Sequence, residues 1–150
     1  MIDMTHLLEK LNNTLGGQLS LSENGQAIQV KKEQLVVLMK TLKEDFKYWM
    51  LADITSADYE GWYEVVYHLL NDNAELLCIK IKIEKVDNVT PSIPSISSLW
   101  KAADPQEREI FDLMGIFFDG HGNLKRILCP EDFVGHPLQK SYKLNPVSRF

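Results

Sequence analysis

A strictly alternating segment in the middle of the sequence constrains the fold more than any other feature. From Leu77 to Glu84, four apolar residues alternate with a cysteine, two lysines and a glutamate, so that Leu77, Ile79, Ile81 and Ile83 share one side. Because successive side chains of a β-strand point to opposite faces, this pattern predicts a strand with one buried and one solvent-facing side. One-sided strands of this kind are typical of antiparallel sheets that are covered on a single face.

Two neighbouring segments also predict strands. Residues 48–57 are extended by composition, and residues 62–70 are rich in the aromatic and β-branched side chains that favour strands. Earlier in the chain, Asn24-Gly25 predicts a turn that joins residues 18–21 to residues 27–30 in a small hairpin. Together these segments predict a mostly antiparallel sheet.

Two amphipathic helices are predicted to cover one face of this sheet. The first follows Asp3, whose side chain can cap a helix N-terminus, and ends at Gly16-Gly17. The second begins near Lys32. We interpret the apolar stripes of both helices as core rather than as a partner groove, which predicts a two-layer α+β sandwich. The stripes consist of Met4, Leu7, Leu8, Leu11 and Leu15 and of Leu35, Leu38, Met39, Leu42 and Phe46.

The chain changes character after a polar connection. Residues 86–94, VDNVTPSIP, contain two prolines and are not expected to continue the sheet. A short helix is predicted around Leu99 and Trp100. At 150 residues the chain has the length of one domain, so we expect an α+β core at 1–94 and, within the same domain, a capped helix and a loop-rich segment at 95–150.

The capped helix has clear end signals. Asp104 is predicted as the N-cap, Pro105 as the first helical residue and Glu107 as the partner that completes a capping box. The helix is expected to run to Met114, with Gly115 in the left-handed conformation at its end.

The loop-rich end of the chain is predicted to need a surface to lie on. Apart from a short apolar run at 116–118, it is divided by glycines and prolines at frequent intervals. A segment of this length without regular structure is not expected to fold by itself, so we expect it to wrap the sheet layer or to dock on another protein as an extended C-terminal docking segment. These glycines and prolines include Gly120, Gly122, Pro130, Gly135 and Pro137.

Charge and cysteine content exclude several classes of protein. The net charge of −5 argues against nucleic-acid binding through phosphate neutralisation. Residues 120–150 nevertheless carry five basic and two acidic residues, which suits an acidic partner surface. Two isolated cysteines do not make a disulfide framework, and no apolar run approaches the ~20 residues that span a bilayer. We therefore expect a cytosolic protein, at most peripheral to a membrane.

The residues with reactive side chains do not form a recognisable catalytic or metal-binding pattern. His121, Cys129 and His136 are spaced by eight and seven residues, whereas structural zinc sites use close pairs of ligands. Two cysteines are too few for an iron–sulfur cluster, and the glycines fit no phosphate-binding loop. Cys129 with a histidine as base lacks the strand-to-helix turn of a nucleophile elbow. We expect no catalytic residue, cofactor or metal on this chain.

The charged face of the predicted second-half helix has two interpretations. Arg108 and Asp112, four residues apart, could form an exposed pair worth a few tenths of a kcal/mol, about 0.2–0.5. Alternatively, Glu107, Arg108, Glu109 and Asp112 face a partner, or fix the following loop through guanidinium hydrogen bonds.

The segment from Pro94 to Tyr142 resembles a known family. It contains EREIFDLMGI at 107–116, Gly120-His121, LKRIL at 124–128, PED at 130–132 and GHPLQK at 135–140. These spacings are similar to those of the 30 kDa subunit, also called the C subunit, of respiratory NADH:quinone oxidoreductase (complex I). Relatives in membrane-bound hydrogenases share the segment.

The resemblance implies a non-catalytic, cofactor-free subunit of the peripheral arm, on the cytoplasmic side of the membrane. Its implied partners are the large subunit with the quinone site and the small iron–sulfur subunit, with no nucleic acid and with membrane contact only through the complex. NADH, FMN, iron–sulfur clusters and quinone would be bound by partner subunits. Two alternatives stay open: the equivalent subunit of an energy-converting hydrogenase or formate hydrogenlyase, and a free-standing small-molecule enzyme. The residues we expect to bind partners are Glu107, Arg108, Asp112, His121, Lys125, Arg126, His136 and Lys140.

Overall fold

The computed structural model describes residues 2–144, within which three α-helices and seven strands are found. A 3₁₀ turn at Lys32–Gln34 leads into the second helix. The elements are α1 (Met4–Leu15), β1 (Ser20–Leu21), β2 (Ile28–Gln29), α2 (Leu35–Glu44), β3 (Met50–Asp58), β4 (Trp62–Leu70), β5 (Leu76–Glu84), β6 (Ser92–Pro94), α3 (Ala103–Met114) and β7 (Phe117–Asp119).

The main sheet has five strands in the order β1-β2-β5-β4-β3. Neighbouring strands are antiparallel except for β2 and β5, which are parallel. The predicted hairpin is present, with Leu21 opposite Ile28. The α+β class with a mostly antiparallel sheet is therefore confirmed, and the parallel pair makes the sheet mixed.

The alternation of β4 and β5 separates a buried face of the sheet from an open one. On the inner face, Val65, Tyr67 and Ile81 are 0% exposed. They join one hydrophobic cluster with Leu11 of α1 and Leu38 of α2, so the helices cover this face and leave the opposite face uncovered. Burial of one such side chain contributes roughly 1.5–3 kcal/mol, which fixes the register of both strands.

The first helix ends as its sequence predicts at both termini. The Asp3 carboxylate accepts hydrogen bonds from the N–H groups of Thr5 and His6, each at 3.1 Å. Gly16 adopts φ 81° and ψ 20° at the C-terminal end, a conformation that a residue without Cβ adopts freely.

The polar connection contains a strand that the sequence analysis did not expect. Ser92–Pro94 forms β6, which pairs in parallel with β7 in a separate two-stranded sheet. Pro94 is tolerated because it lies at the end of an edge strand, where no ladder N–H is required. The short helix predicted around Leu99 and Trp100 is also wrong, since this segment forms turns, with the Trp100 N–H bound to the Ile96 carbonyl at 3.1 Å.

The predicted capping box at the start of α3 is not formed. The helix begins at Ala103, and Ala102 is the N-cap without any side-chain hydrogen bond. Asp104 lies inside the first turn, where its charge still favours the helix N-terminus. Glu107 is 0% exposed and binds groups outside the helix, so it cannot reach back to the cap.

α3 packs against β3 at the edge of the main sheet. The register of β3 shifts between Leu51 and Asp53, and just beyond this bulge the Ile54 N–H donates to Gln106 Oε1 at 2.6 Å. The hydrophobic cluster contains Ile79 and also Ile110, so it draws on both sides of the 94/95 division. The division of the chain into 1–94 and 95–150 stays a prediction. α3 packs on the hydrophobic core through Ile110 and is hydrogen-bonded to β3 through Gln106.

Candidate functional site

The candidate site lies at the C-terminal end of α3, where the chain beyond β7 returns to the helix. Residues 120–144 contain turns and bends without helix or strand. We call residues 120–142 the C-terminal strap. The residues of the family-like segment meet here, and most of their polar contacts join α3 to the strap.

Asp112 is the centre of these contacts. Its side chain is 0% exposed, and Oδ1 accepts a hydrogen bond from Arg126 Nη1 at 2.7 Å. Oδ2 accepts from three consecutive backbone N–H groups of the strap, those of Ile127 (3.1 Å), Leu128 (2.8 Å) and Cys129 (2.8 Å). Burial alone would raise its pKa, but these hydrogen bonds outweigh burial and hold the pKa of Asp112 well below its usual range.

Arg126 extends the same connection along the strap. Besides Asp112, its guanidinium donates through Nη2 to the carbonyl oxygens of Phe133 at 3.0 Å and Gly135 at 2.8 Å. Arg108 binds the strap one turn earlier in α3, donating to the carbonyls of Lys125 at 3.1 Å and Arg126 at 3.2 Å. Arg108 and Asp112 therefore do not pair with each other, and both fix the following loop, which is the second interpretation of these charges.

The strap also caps the C-terminus of α3. The last four carbonyl groups of a helix have no partner within the helix. In α3 the first is bound by Gly115 and the other three by strap residues, so none is left without a hydrogen bond. The donors and acceptors are Gly115 N with Phe111 O (3.0 Å), His136 Nδ1 with Asp112 O (2.8 Å), Leu138 N with Leu113 O (3.0 Å) and Gln139 Nε2 with Met114 O (2.7 Å).

Gly115 permits this close approach. It adopts φ 73° and ψ 18°, as the sequence predicted. A Cβ at this position would lie 2.7 Å from His136 Cδ2 and 2.9 Å from Gln139 Nε2. The glycine is therefore required both by the backbone conformation and by the strap.

A second polar cluster lies under the N-terminal half of α3. Glu107 accepts from Ser95 Oγ at 2.5 Å and from the Ile96 N–H at 2.7 Å, and burial raises the pKa of its carboxyl group. The His121 side chain is 0% exposed, and its Nε2 lies 3.9 Å from Glu107 Oε2. His121 Nδ1 accepts the Asn123 N–H at 3.0 Å, so Nε2 carries the hydrogen that binds the Asp104 carbonyl at 3.2 Å.

The strap is joined to the sheet at its far end. Asp58, the last residue of β3, pairs with Lys85 and accepts the Lys140 N–H at 2.8 Å. Burial raises the pKa of Asp58, but the Lys85 ammonium and the Lys140 N–H outweigh burial and lower it overall. Asp58 was not expected from the sequence, because an acidic residue at a strand end gives no sign of a partner 82 residues away.

Large apolar side chains on the strap point to solvent. Leu128, Val134 and Leu138 are 64%, 87% and 60% exposed. Sequence reasoning treated this segment as loop and did not single them out. Apolar residues at loop positions are the signal that could have identified them.

The eight residues predicted to bind partners are brought together around α3 and the strap. Six of them make side-chain contacts inside the chain, and Glu107 and Asp112 are buried completely. Lys125 and Lys140 are exposed and use backbone groups for their internal contacts. The role of these eight residues in partner binding stays a prediction. Inside the chain, they hold the strap against α3, and Glu107 also binds Ser95 and Ile96 in the segment before α3.

Other features bear on cofactors and ligands. Within residues 2–144, no group of three or more His, Cys, Asp or Glu side chains is arranged to hold a metal ion. Among the same residues, no helix is long and apolar enough to cross a bilayer. A cavity of about 1090 Å³ lies on the open face of the sheet, and its lining includes Lys80 and Glu64, which are 3.1 Å apart, and Trp62.

Comparisons with known proteins agree with the resemblance. Residues 28–148 match the family model of the respiratory-chain NADH dehydrogenase 30 kDa subunit. The C subunit of the NADH-quinone oxidoreductase of Moorella thermoacetica is 49% identical over 120 residues, which cover 79% of this chain and 80% of that protein. The C/D subunit of the enzyme of Bdellovibrio bacteriovorus is 34% identical over 149 residues, which cover 92% of this chain and 26% of that protein.

Solved structures share the fold. A trypsin-resistant fragment of Nqo5 superposes with a TM-score of 0.65 at 23% identity, covering 82% of this chain and all of that one. A chain of the membrane-bound sulfane sulfur reductase, an archaeal respiratory membrane complex, gives a TM-score of 0.71 at 19% identity, covering 85% and 77%. With the family model matched over most of the sequence, the chain belongs to the family of the 30 kDa subunit, or C subunit, of respiratory NADH dehydrogenase.

Proposed function

We propose that this chain is a non-catalytic, cofactor-free subunit of the peripheral arm of an NADH:quinone oxidoreductase. It supports assembly of the arm by docking its C-terminal strap on neighbouring subunits on the cytoplasmic side of the membrane. The observation that carries this proposal is the strap itself. A segment without helix or strand is held by buried charged hydrogen bonds while it presents Leu128, Val134 and Leu138 to solvent. Apolar side chains that an ordered segment holds in solvent are candidates for contact with another protein.

The proposed partners are the large subunit with the quinone site and the small iron–sulfur subunit. The relative named as a C/D subunit supports a neighbouring subunit of the same complex as partner, because one polypeptide there carries two subunit names and this chain matches only 26% of it. NADH, FMN, the clusters and quinone are then bound by partner subunits.

Co-purification tests this function. The full chain is expressed with an affinity tag alongside the other subunits, and the proteins retained with it are identified. The expected result is recovery of the large and small subunits, together with a chain that contains no stoichiometric iron, zinc or flavin when purified alone. Retention of neither subunit, or about one metal or flavin per isolated chain, would contradict the proposal.

A second candidate is the equivalent subunit of an energy-converting hydrogenase or formate hydrogenlyase. The same fold occurs in a chain of another kind of respiratory membrane complex, which superposes with a TM-score of 0.71, so the fold does not distinguish between the two candidates. The same co-purification separates the two, because a nickel-bearing large subunit identifies the second. The free-standing enzyme has less support, since most of the residues that line the broad cavity on the open sheet face are polar or charged, whereas ligand pockets are predominantly apolar with a few polar groups.

A further inference from the structure

We infer that the charged residues of the family-like segment act inside the chain as positioning residues, and that the partner is met by the apolar side chains of Leu128, Val134 and Leu138, whose positions Asp112 and Arg126 fix before assembly. This inference rests on the proposed function and assigns the work of docking to different residues from those that the sequence suggested. It concerns one surface, the outer side of the strap.

The strap backbone at or beside each of the three apolar residues is tied, directly or through Arg126, to the C-terminal turn of α3. The Leu128 N–H binds Asp112 Oδ2 at 2.8 Å, and the Leu138 N–H binds the Leu113 carbonyl at 3.0 Å. Val134 lies between the two carbonyl groups that Arg126 binds, and Arg126 is itself paired with Asp112 at 2.7 Å. Residues ten positions apart in a loop are therefore brought to the same end of one helix.

The anchoring groups cannot themselves serve as the main contact surface. Asp112 is 0% exposed and Arg126 has a side-chain exposure of 15%, with its guanidinium shared among three acceptor residues. In contrast, 60% or more of the surface of each of the three apolar residues is accessible. The side chains that the strap exposes to a partner are therefore these apolar residues, together with Lys125 and Lys140.

This arrangement fits one kind of partner, a protein surface with an apolar patch bordered by carboxylates. We assign this partner to the large subunit, which the proposed function places next to this chain, and a partner within the same complex is supported by the relative whose single polypeptide carries two subunit names, C and D. A loop that becomes ordered only on binding weakens the complex, and a loop that is fixed beforehand avoids this loss. Asp112 is thus expected to strengthen association without touching the partner.

The test compares variants of the full chain in two measurements, hydrogen exchange of the free chain and association with the large subunit. Asp112→Asn keeps the shape of the side chain but turns an amide NH₂ donor either towards the strap N–H groups or towards the Arg126 guanidinium, which are themselves donors. We expect at least tenfold faster exchange of strap amides, unchanged protection of β4 and β5, and at least tenfold weaker association. Asp132→Asn, at an exposed strap position, makes the same charge change and is expected to alter neither measurement.

Leu128→Lys and Leu138→Lys separate this inference from the function on which it rests. They are expected to weaken association at least tenfold while strap exchange stays as in the unmodified chain. Normal association of both lysine variants would refute docking by the strap, and with it the proposed site. Weak association of the lysine variants together with normal association of Asp112→Asn would refute only the positioning role.

Should Asp112→Asn fail to fold, Arg108→Gln provides the second variant. It removes two hydrogen bonds to strap carbonyls at 3.1 and 3.2 Å and leaves the buried carboxylate in place. Faster strap exchange with weaker association supports the inference, and faster exchange with normal association overturns it. Unchanged strap exchange overturns it as well.

Discussion

Replacing Gly115 by alanine tests whether the strap depends on the close approach at the end of α3. The glycine adopts φ 73°, and a Cβ there would meet His136 and Gln139 at 2.7 and 2.9 Å. Gly16 at the end of α1 has nearly the same conformation, φ 81°, but nothing lies within 4 Å of its Cβ position. The two substitutions therefore share a backbone cost and differ only in the strap contact.

The magnitudes follow from the surroundings of the two glycines. A left-handed alanine costs roughly 1–2 kcal/mol relative to glycine, and this is the whole effect expected for Gly16→Ala. In Gly115→Ala, His136 and Gln139 must also move from the carbonyls of Asp112 and Met114, which they bind at 2.8 and 2.7 Å. Each lost hydrogen bond contributes about 0.5–1.5 kcal/mol, so the total is about 2–5 kcal/mol. The loss cannot exceed the free energy of detaching the whole strap from α3, because detachment would relieve the steric clash.

Urea unfolding curves of both variants measure these free energies, and hydrogen exchange locates the loss. We expect Gly115→Ala to be the more destabilised by about 1–3 kcal/mol, the value of the two hydrogen bonds. Its strap amides are expected to exchange faster, whereas those of Gly16→Ala are not. Equal losses in the two variants, with equal protection of the strap, would refute the steric reasoning.

Three other perturbations probe the core, the buried carboxylate and its arginine partner. Ile81→Ala removes a side chain that is 0% exposed and is expected to cost about 2–5 kcal/mol in urea unfolding. Lys82→Ala on the open face removes only the exposed contact of its ammonium with the Trp62 ring, 4.3 Å from the centroid, and is expected to cost no more than about 1 kcal/mol. Because folding lowers the pKa of Asp112, the ionised carboxylate stabilises the folded chain fully above its unfolded pKa of about 3.9, and this stabilisation is lost as the pH falls towards the folded-state pKa. The NMR signals of strap amides are therefore expected to change below about pH 4, before the signals of β4 change. Simultaneous change of both sets of signals would contradict this expectation. Arg126→Glu brings a second carboxylate beside Asp112 at a site where the wild-type atoms are 2.7 Å apart, so it is expected to lower the thermal midpoint by several degrees, while the adjacent exposed Lys125→Glu leaves the midpoint nearly unchanged.

The parts of the fold that depend on local signals could be predicted from the sequence. The strand at 62–70 has the predicted bounds, because the aromatic and β-branched side chains that favour it follow one another in the sequence. The first helix has the predicted cap at Asp3 and the predicted end at Gly16, because both act within a few residues of the helix terminus.

The parts that depend on distant residues could not be predicted. Asp104 and Glu107 have the spacing of a capping box, but a buried hydrogen bond to Ser95 competes for the glutamate. The parallel pairing of β2 with β5 joins Ile28 to Ile79, which no local pattern records.

The candidate site shows the same division. The sequence patterns pointed to the right segment, but a charged residue on an amphipathic helix is ordinarily interpreted as solvent-facing. The acceptor groups of Asp112 are used by residues 14–17 positions later, in a loop without periodicity. Its burial therefore became visible only in three dimensions.

The hydrogen bond between Gln106 and the Ile54 N–H affects how readily the unassembled chain can aggregate. β3 is the outermost strand at one edge of the main sheet, and at the other edge β1 has only two residues. Long, free strand edges invite pairing with other chains and lead to aggregation. Because Gln106 occupies an outward N–H of β3 and α3 packs against this strand, an incoming strand finds its first hydrogen-bonding position taken. The contact between α3 and β3 therefore lowers the tendency of the unassembled chain to pair edge to edge with a second copy along β3.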